Sequence, residues 1–183
     1  TIPGAAEKVV YPFGYGLSYT TFDVETVSAG VVNSNCTSET NKLYAKVRVT
    51  NTGKFSGKEV VQVYIAKPQG KLGKPAKELA AFEKTRELQP GESQLMILTW
   101  EINDMASYDD LGKVKKSAYV LEAGSYDIYV GTSVRDVTKA DYSYILNRDV
   151  ITEQFSAKLV PTSLPKRMLA DGSYEALPQS EPV

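Results

Sequence analysis

Histidine is absent from the 183 residues, and cysteine occurs once, at Cys36. Without histidine the chain lacks the commonest general base, the usual partner of a nucleophilic serine or cysteine, and the commonest zinc ligand. Many enzyme classes are thereby excluded, and no metal or other cofactor is expected. A single cysteine forms no intramolecular disulfide, so stability has to come from a packed core, and the thiol is expected to be inert. No apolar run approaches the roughly 20 residues that span a bilayer, so no membrane partner is expected. Charge of one sign is also missing: 21 basic side chains stand against 22 acidic ones, a net charge of -1. That balance supplies no long-range field to gather phosphate backbones, which excludes nucleic acid as a partner.

What is present is the composition of an ordinary water-soluble domain, 42% hydrophobic and 23% charged. The length suits one domain with extensions. From Leu43 to Thr50, Leu43, Ala45, Val47 and Val49 alternate with polar residues, the period of a half-buried strand. Asn51-Thr52-Gly53 stops this run, and a second from Glu59 to Ala66 turns Val61, Val63 and Ile65 inward before Pro68. These two strands are expected to pair or lie close. A third, Gln94 to Trp100, follows the turn Leu88-Gln89-Pro90-Gly91, and either of its faces can be the buried one. Tyr126 to Gly131 is a fourth, and shorter strands are expected near Phe22 to Val27, Leu79 to Lys84 and Lys116 to Leu121. About seven short strands with turns between them and no amphipathic helix predict an all-β, antiparallel β-sandwich. Tyr126 opens a late strand after Leu121-Glu122-Ala123-Gly124, where sandwiches place a structural corner tyrosine bonded back to upstream backbone; the alternative is an ordinary core aromatic.

The run Tyr11-Pro12-Phe13-Gly14-Tyr15-Gly16-Leu17-Ser18-Tyr19-Thr20 resembles the Pro-Phe-Gly-x-Gly-Leu-Ser-Tyr-Thr signature of family-three glycoside hydrolases, which precedes their fibronectin type III-like domain. Further blocks are similar in the same order. They are Val49 to Gly53 with Gly57 to Tyr64, then Pro75 to Phe82, Leu88 to Glu92, and Gly124 to Gly131. One departure is Tyr119, where the family often has tryptophan. The resemblance spans about residues 11 to 136. It implies a strap at 1–20 leaving an α/β domain, an immunoglobulin/fibronectin type III-like sandwich at 21–136, and an extension and interdomain linker or tail at 137–183.

The same resemblance implies a non-catalytic accessory domain of a β-glucosidase-type parent, bracing its catalytic barrel and α/β sandwich domains and meeting an oligosaccharide or glycoside substrate only through that parent. In the strap, Pro12 stiffens the chain, Gly14 and Gly16 permit close approaches, and Tyr11, Phe13, Tyr15 and Tyr19 supply large anchors for a neighbouring domain. They are the candidate docking residues, expected to be exposed in the isolated chain. The second reading is a carbohydrate-binding or adhesive module using the 12 tyrosines and Trp100; the third, an independent enzyme, trails for want of histidine.

No catalytic residue is assigned. A retaining glycosidase needs two carboxyl groups about 5–5.5 Å apart, whereas Asp109-Asp110, Glu101 and Asp104 fall in an expected surface loop as solvated acids. Lys54, Lys58, Lys67, Lys71, Lys74 and Lys77 read as a guarded sheet edge rather than an anion site. Gly14-Tyr15-Gly16 is half a dinucleotide fingerprint without its strand-helix unit, and Asn35-Cys36-Thr37 fits a glycosylation acceptor that matters only in a secretory pathway. The opening Thr1-Ile2-Pro3-Gly4 has no initiator methionine or apolar leader and suggests an excised piece. The tail from Lys166 to Glu175, with one short helical turn expected at Lys166-Arg167-Met168, is similar to the connection in family members whose domains are permuted; a C-terminal extension would look the same.

Overall fold

The computed structural model describes residues 5–32, 41–156, 165–169 and 171–177. Cys36 and the tripeptide around it lie outside them. Seven strands make the two main antiparallel sheets. One holds β1 (Phe22–Val31), β2 (Lys42–Asn51) and β5 (Ser93–Glu101) in the order β1-β2-β5; the other runs β4-β3-β8-β9, with β3 (Val60–Ala66), β4 (Glu78–Lys84), β8 (Gly124–Gly131) and β9 (Val137–Leu146). A small third sheet, β10-β7-β6, contains β6 (Ser107–Asp109), β7 (Ala118–Leu121) and β10 (Val150–Gln154). Strands β11 (Lys166–Met168) and β12 (Tyr174–Ala176) form a separate hairpin.

Alternation explains the core. Leu43, Ala45, Val47 and Val49 of β2, Val61, Val63 and Ile65 of β3, and Tyr126, Ile128 and Val130 of β8 are all buried in one cluster. Removing these side chains from water on folding supplies the main stabilising term, about 1.5–3 kcal/mol for each fully buried large aliphatic group. On β5 the inward face is Met96, Leu98 and Trp100, leaving Leu95 and Ile97 outside. The layered, all-β architecture is that of a fibronectin-like sandwich.

Several expectations change. Strands β2 and β3 do not pair; they belong to opposite sheets and meet only through the core. The sheets do not end at residue 136, because β9 pairs with β8 and β10 with β7. Strand β9 escapes the period-two pattern because it is an edge with only Ala140 fully inside. Conversely β7, expected in the sandwich, belongs to the small sheet. Lys166-Arg167-Met168 is a strand of a hairpin, not a helical turn: Arg167 bonds Glu175 across it at 2.7 Å and Asp110 at 2.9 Å. Asp109 is not a solvated acid. It is completely buried, and its two oxygens accept the N–H groups of Gly112, Lys113, Val114 and Lys115. Burial alone would push its carboxyl up, yet the four donors outweigh it and hold the group below the usual range.

Nor do the lysines form a uniform guarded edge. Lys67 and Lys74 are buried, Lys67 against Glu78 at 2.5 Å and Lys74 against Glu122. Glu122 also accepts the N–H groups of Lys71 and Leu72, fastening the loop after β3 to the turn before β8. Its carbonyl takes a 2.9 Å hydrogen bond from the hydroxyl of Tyr126, itself fully buried. Burial and the nearby Glu122 charge push that phenol well above its ordinary value, keeping it neutral and donating.

Candidate interdomain interface

Strand β3 is buried on both faces, although only Val61, Val63 and Ile65 point into the core. By alternation Gln62 and Tyr64 face the other way, and what covers them is the strap. The Gln62 amide donates to the carbonyl of Gly14 at 2.8 Å and to that of Thr132 at 2.6 Å, while its oxygen accepts from the Tyr64 hydroxyl at 2.6 Å. Phe13 packs edge-on against the Tyr64 ring, centroids 6.4 Å apart. Gly14 has φ of 80°, and a Cβ there would collide with the Gln62 amide and the Tyr64 hydroxyl, so only glycine fits. Further bonds tie strap backbone down: Val134 N–H to the Phe13 carbonyl at 3.0 Å, and the Arg135 guanidinium to the Val9 carbonyl at 3.1 Å. At its far end Thr20 donates to the Asn51 side chain at 2.8 Å, and Thr52 N–H to the Thr21 carbonyl at 2.9 Å.

The side chains behave differently. Tyr11 is 66% exposed, Phe13 65%, Tyr15 46% and Tyr19 97%. Tyr11 and Tyr15 contact each other at 5.1 Å between centroids, and Val10 and Leu17 are exposed beside them in sequence. Thus all four expected docking residues lie on the strap, held there by backbone and presented outward. Phe55 and Phe82 extend the apolar surface. Phe55 reaches the strap's end because Asn51, which binds Thr20, also donates to its carbonyl, and Phe82 pairs with Gln62 across β3 and β4. Sequence reasoning missed both, since Phe55 lies in the turn after β2 and the place of Phe82 beside Gln62 depends on the register of β3 and β4.

Aromatic groups suited to sugar stacking are scarcer than the tyrosine count implies. Trp100, Tyr64 and Tyr126 are inside. Among the described residues no group of three or more acids or cysteines could hold a metal ion.

Residues 59–134 match the model of the fibronectin type III-like domain. The chain is 60% identical to Beta-glucosidase A of Butyrivibrio fibrisolvens over 191 residues, 100% of this chain and 23% of that protein. A β-glucosidase of Ruminococcus albus is 41% identical over 97% of this chain and 18% of its own length. The crystal structure of a β-glucosidase from Paenibacillus barengoltzii superimposes with a TM-score of 0.83 at 43% identity, covering 96% of this chain and 20% of that one. β-Glucosidase 3B of Thermotoga neapolitana gives 0.65 at 39% identity, covering 79% of this chain and 18% of its own. The sandwich is therefore a fibronectin type III-like domain. More narrowly, along its length it is similar to one part of β-glucosidases, a glycoside hydrolase family three member among them. The chain spans about a fifth of the length of these relatives.

Proposed function

We propose that this chain is a non-catalytic accessory domain that braces the catalytic domains of a β-glucosidase-type parent, an enzyme that hydrolyses terminal sugars from β-glycosides. The observation that supports this most is the strap: its backbone is fastened to the sandwich through Gln62, Val134 and Arg135, while Tyr11, Phe13, Tyr15 and Tyr19 are left for a neighbour. A surface costing so much exposed aromatic area suits burial against the α/β and barrel domains that would make up the other four fifths of the parent. A free-standing carbohydrate-binding module is not favoured, since the relatives that match the whole chain are β-glucosidases several times its length.

The test compares Phe13→Ala/Tyr15→Ala in the full-length parent and in the 183-residue chain. Thermal stability and aryl β-glucoside hydrolysis should fall in the parent, while the isolated chain keeps its melting temperature within a few degrees. An unchanged parent would refute docking through the strap, and hydrolysis by the isolated chain would refute the non-catalytic reading.

A further inference from the structure

On the small sheet, away from the strap, lies a cleft of about 350 Å³ lined by Asn103, Asp104, Ala106, Tyr119, Thr152 and Glu153. It is at the lower end of the roughly 300–1,000 Å³ typical of small-molecule sites. The Tyr119 ring is held in place from two sides, by Tyr108 at 5.4 Å and Phe155 at 5.8 Å between centroids, both edge-on. It is nonetheless 40% exposed. Thr152 is fixed beside it by a 3.3 Å bond from its hydroxyl to the Tyr119 carbonyl. Asn103, Asp104 and Glu153 are exposed at the rim.

The chemistry of this lining selects its occupant. Two carboxylates with no lysine or arginine among the lining residues repel phosphate and carboxylate ligands. Among the described residues no group of three or more acids or thiols could hold a metal ion, and this cleft has two carboxylates. What remains is an uncharged ligand with many O–H donors, for Asp104, Glu153 and Asn103 to accept, and an apolar C–H face to lie on a phenol ring. A pyranose has both features. We infer that the cleft at Tyr119 is a secondary glycan-binding site, taking one or two units of an uncharged oligosaccharide. It would let the domain hold a polymeric substrate near its parent without taking part in bond cleavage. The further choice of a β-linked glucan rests on the β-glucosidase reading.

The test is titration of cellotetraose into the ¹⁵N-labelled 183-residue chain, followed by amide chemical shifts. Saturable shifts are expected at Asn103, Tyr119, Thr152 and Glu153, with strap amides unmoved. Tyr119→Ala should weaken binding about tenfold, the loss of one well-placed aromatic contact. Glu153→Gln should weaken it about threefold; being an exposed, near-isosteric change, it keeps the fold even if Tyr119→Ala does not. The inference fails if the unmodified chain shows no saturable shift, if Glu153→Gln and Asp104→Asn both bind as tightly as the unmodified chain, or if the shifts fall on the strap. Equal shifts on adding calcium chloride would assign the cleft to a cation and also overturn it. None of these failures touches the docking reading, which is measured on Phe13 and Tyr15.

Discussion

Two tyrosine-rich regions use the same side chain for opposite ends. At the start of β8, Tyr126 is fully buried with its hydroxyl donating to the Glu122 carbonyl in the preceding turn, and the Glu122 carboxylate gathers a buried lysine and two backbone N–H groups. There the side chains hold the fold. Along the strap the backbone carbonyls of Val9, Phe13 and Gly14 make the bonds and the rings are turned outward. A segment anchored mainly by its main chain leaves most of its aromatic area exposed. The corner should therefore be sensitive to substitution in the isolated chain, and the strap only in the parent.

The largest expected effect is at the corner. Glu122→Ala strands the Lys74 ammonium, buried without its partner, and should cost about 3–5 kcal/mol in urea unfolding of the isolated chain. A loss below 1 kcal/mol would mean that the pair is dispensable. Next is Asp109→Asn, which replaces one acceptor oxygen by a donor amide facing backbone N–H groups and should cost about 2 kcal/mol.

The same carboxyl sets a pH dependence. Its folded pKa is depressed, so its contribution is complete above about pH 5 and is lost as the pH falls below the ordinary aspartate value of about 3.9. Asp127, held down mainly by Lys139 and Ser143, acts in the same direction. Urea midpoints measured from pH 6 to pH 3 should fall, and Asp109→Asn should flatten the fall. Tyr126→Phe ranks third, at about 1–2 kcal/mol for one buried hydrogen bond and an orphaned carbonyl. An unchanged melting temperature would make Tyr126 an ordinary core aromatic. Smallest is Phe13→Ala in the isolated chain, about 0.5 kcal/mol for a mostly exposed ring; a loss above 2 kcal/mol would erase the contrast between the two regions.

Legibility followed the same division. Strands β2 and β8 show most plainly in the sequence because turning one face to the core forces period-two alternation, and β2 carries it with no exception from Leu43 to Val49. Strand β9 does not, since an edge strand buries little and tolerates Lys139 and Asp141. The strap was legible as a motif, and Gly14 as a position of special geometry. The residue that makes it special, Gln62, was hidden inside an apparently ordinary strand. Lys74 and Asp109 were misread for a related reason: a charge looks solvated until the partner 48 residues away, or the loop that wraps it, is in place.

The strap's fastening also imposes an order in time. Its residues are made before the sandwich, yet the Gly14 carbonyl waits for Gln62, 48 residues later, and the Val9 carbonyl for Arg135, 126 residues later. A ribosome must therefore deliver β3, and then all of β8, before the aromatics can be set in their final display. Until that moment the exposed rings have no fixed arrangement, so their display is a product of the finished sandwich and not of the strap alone.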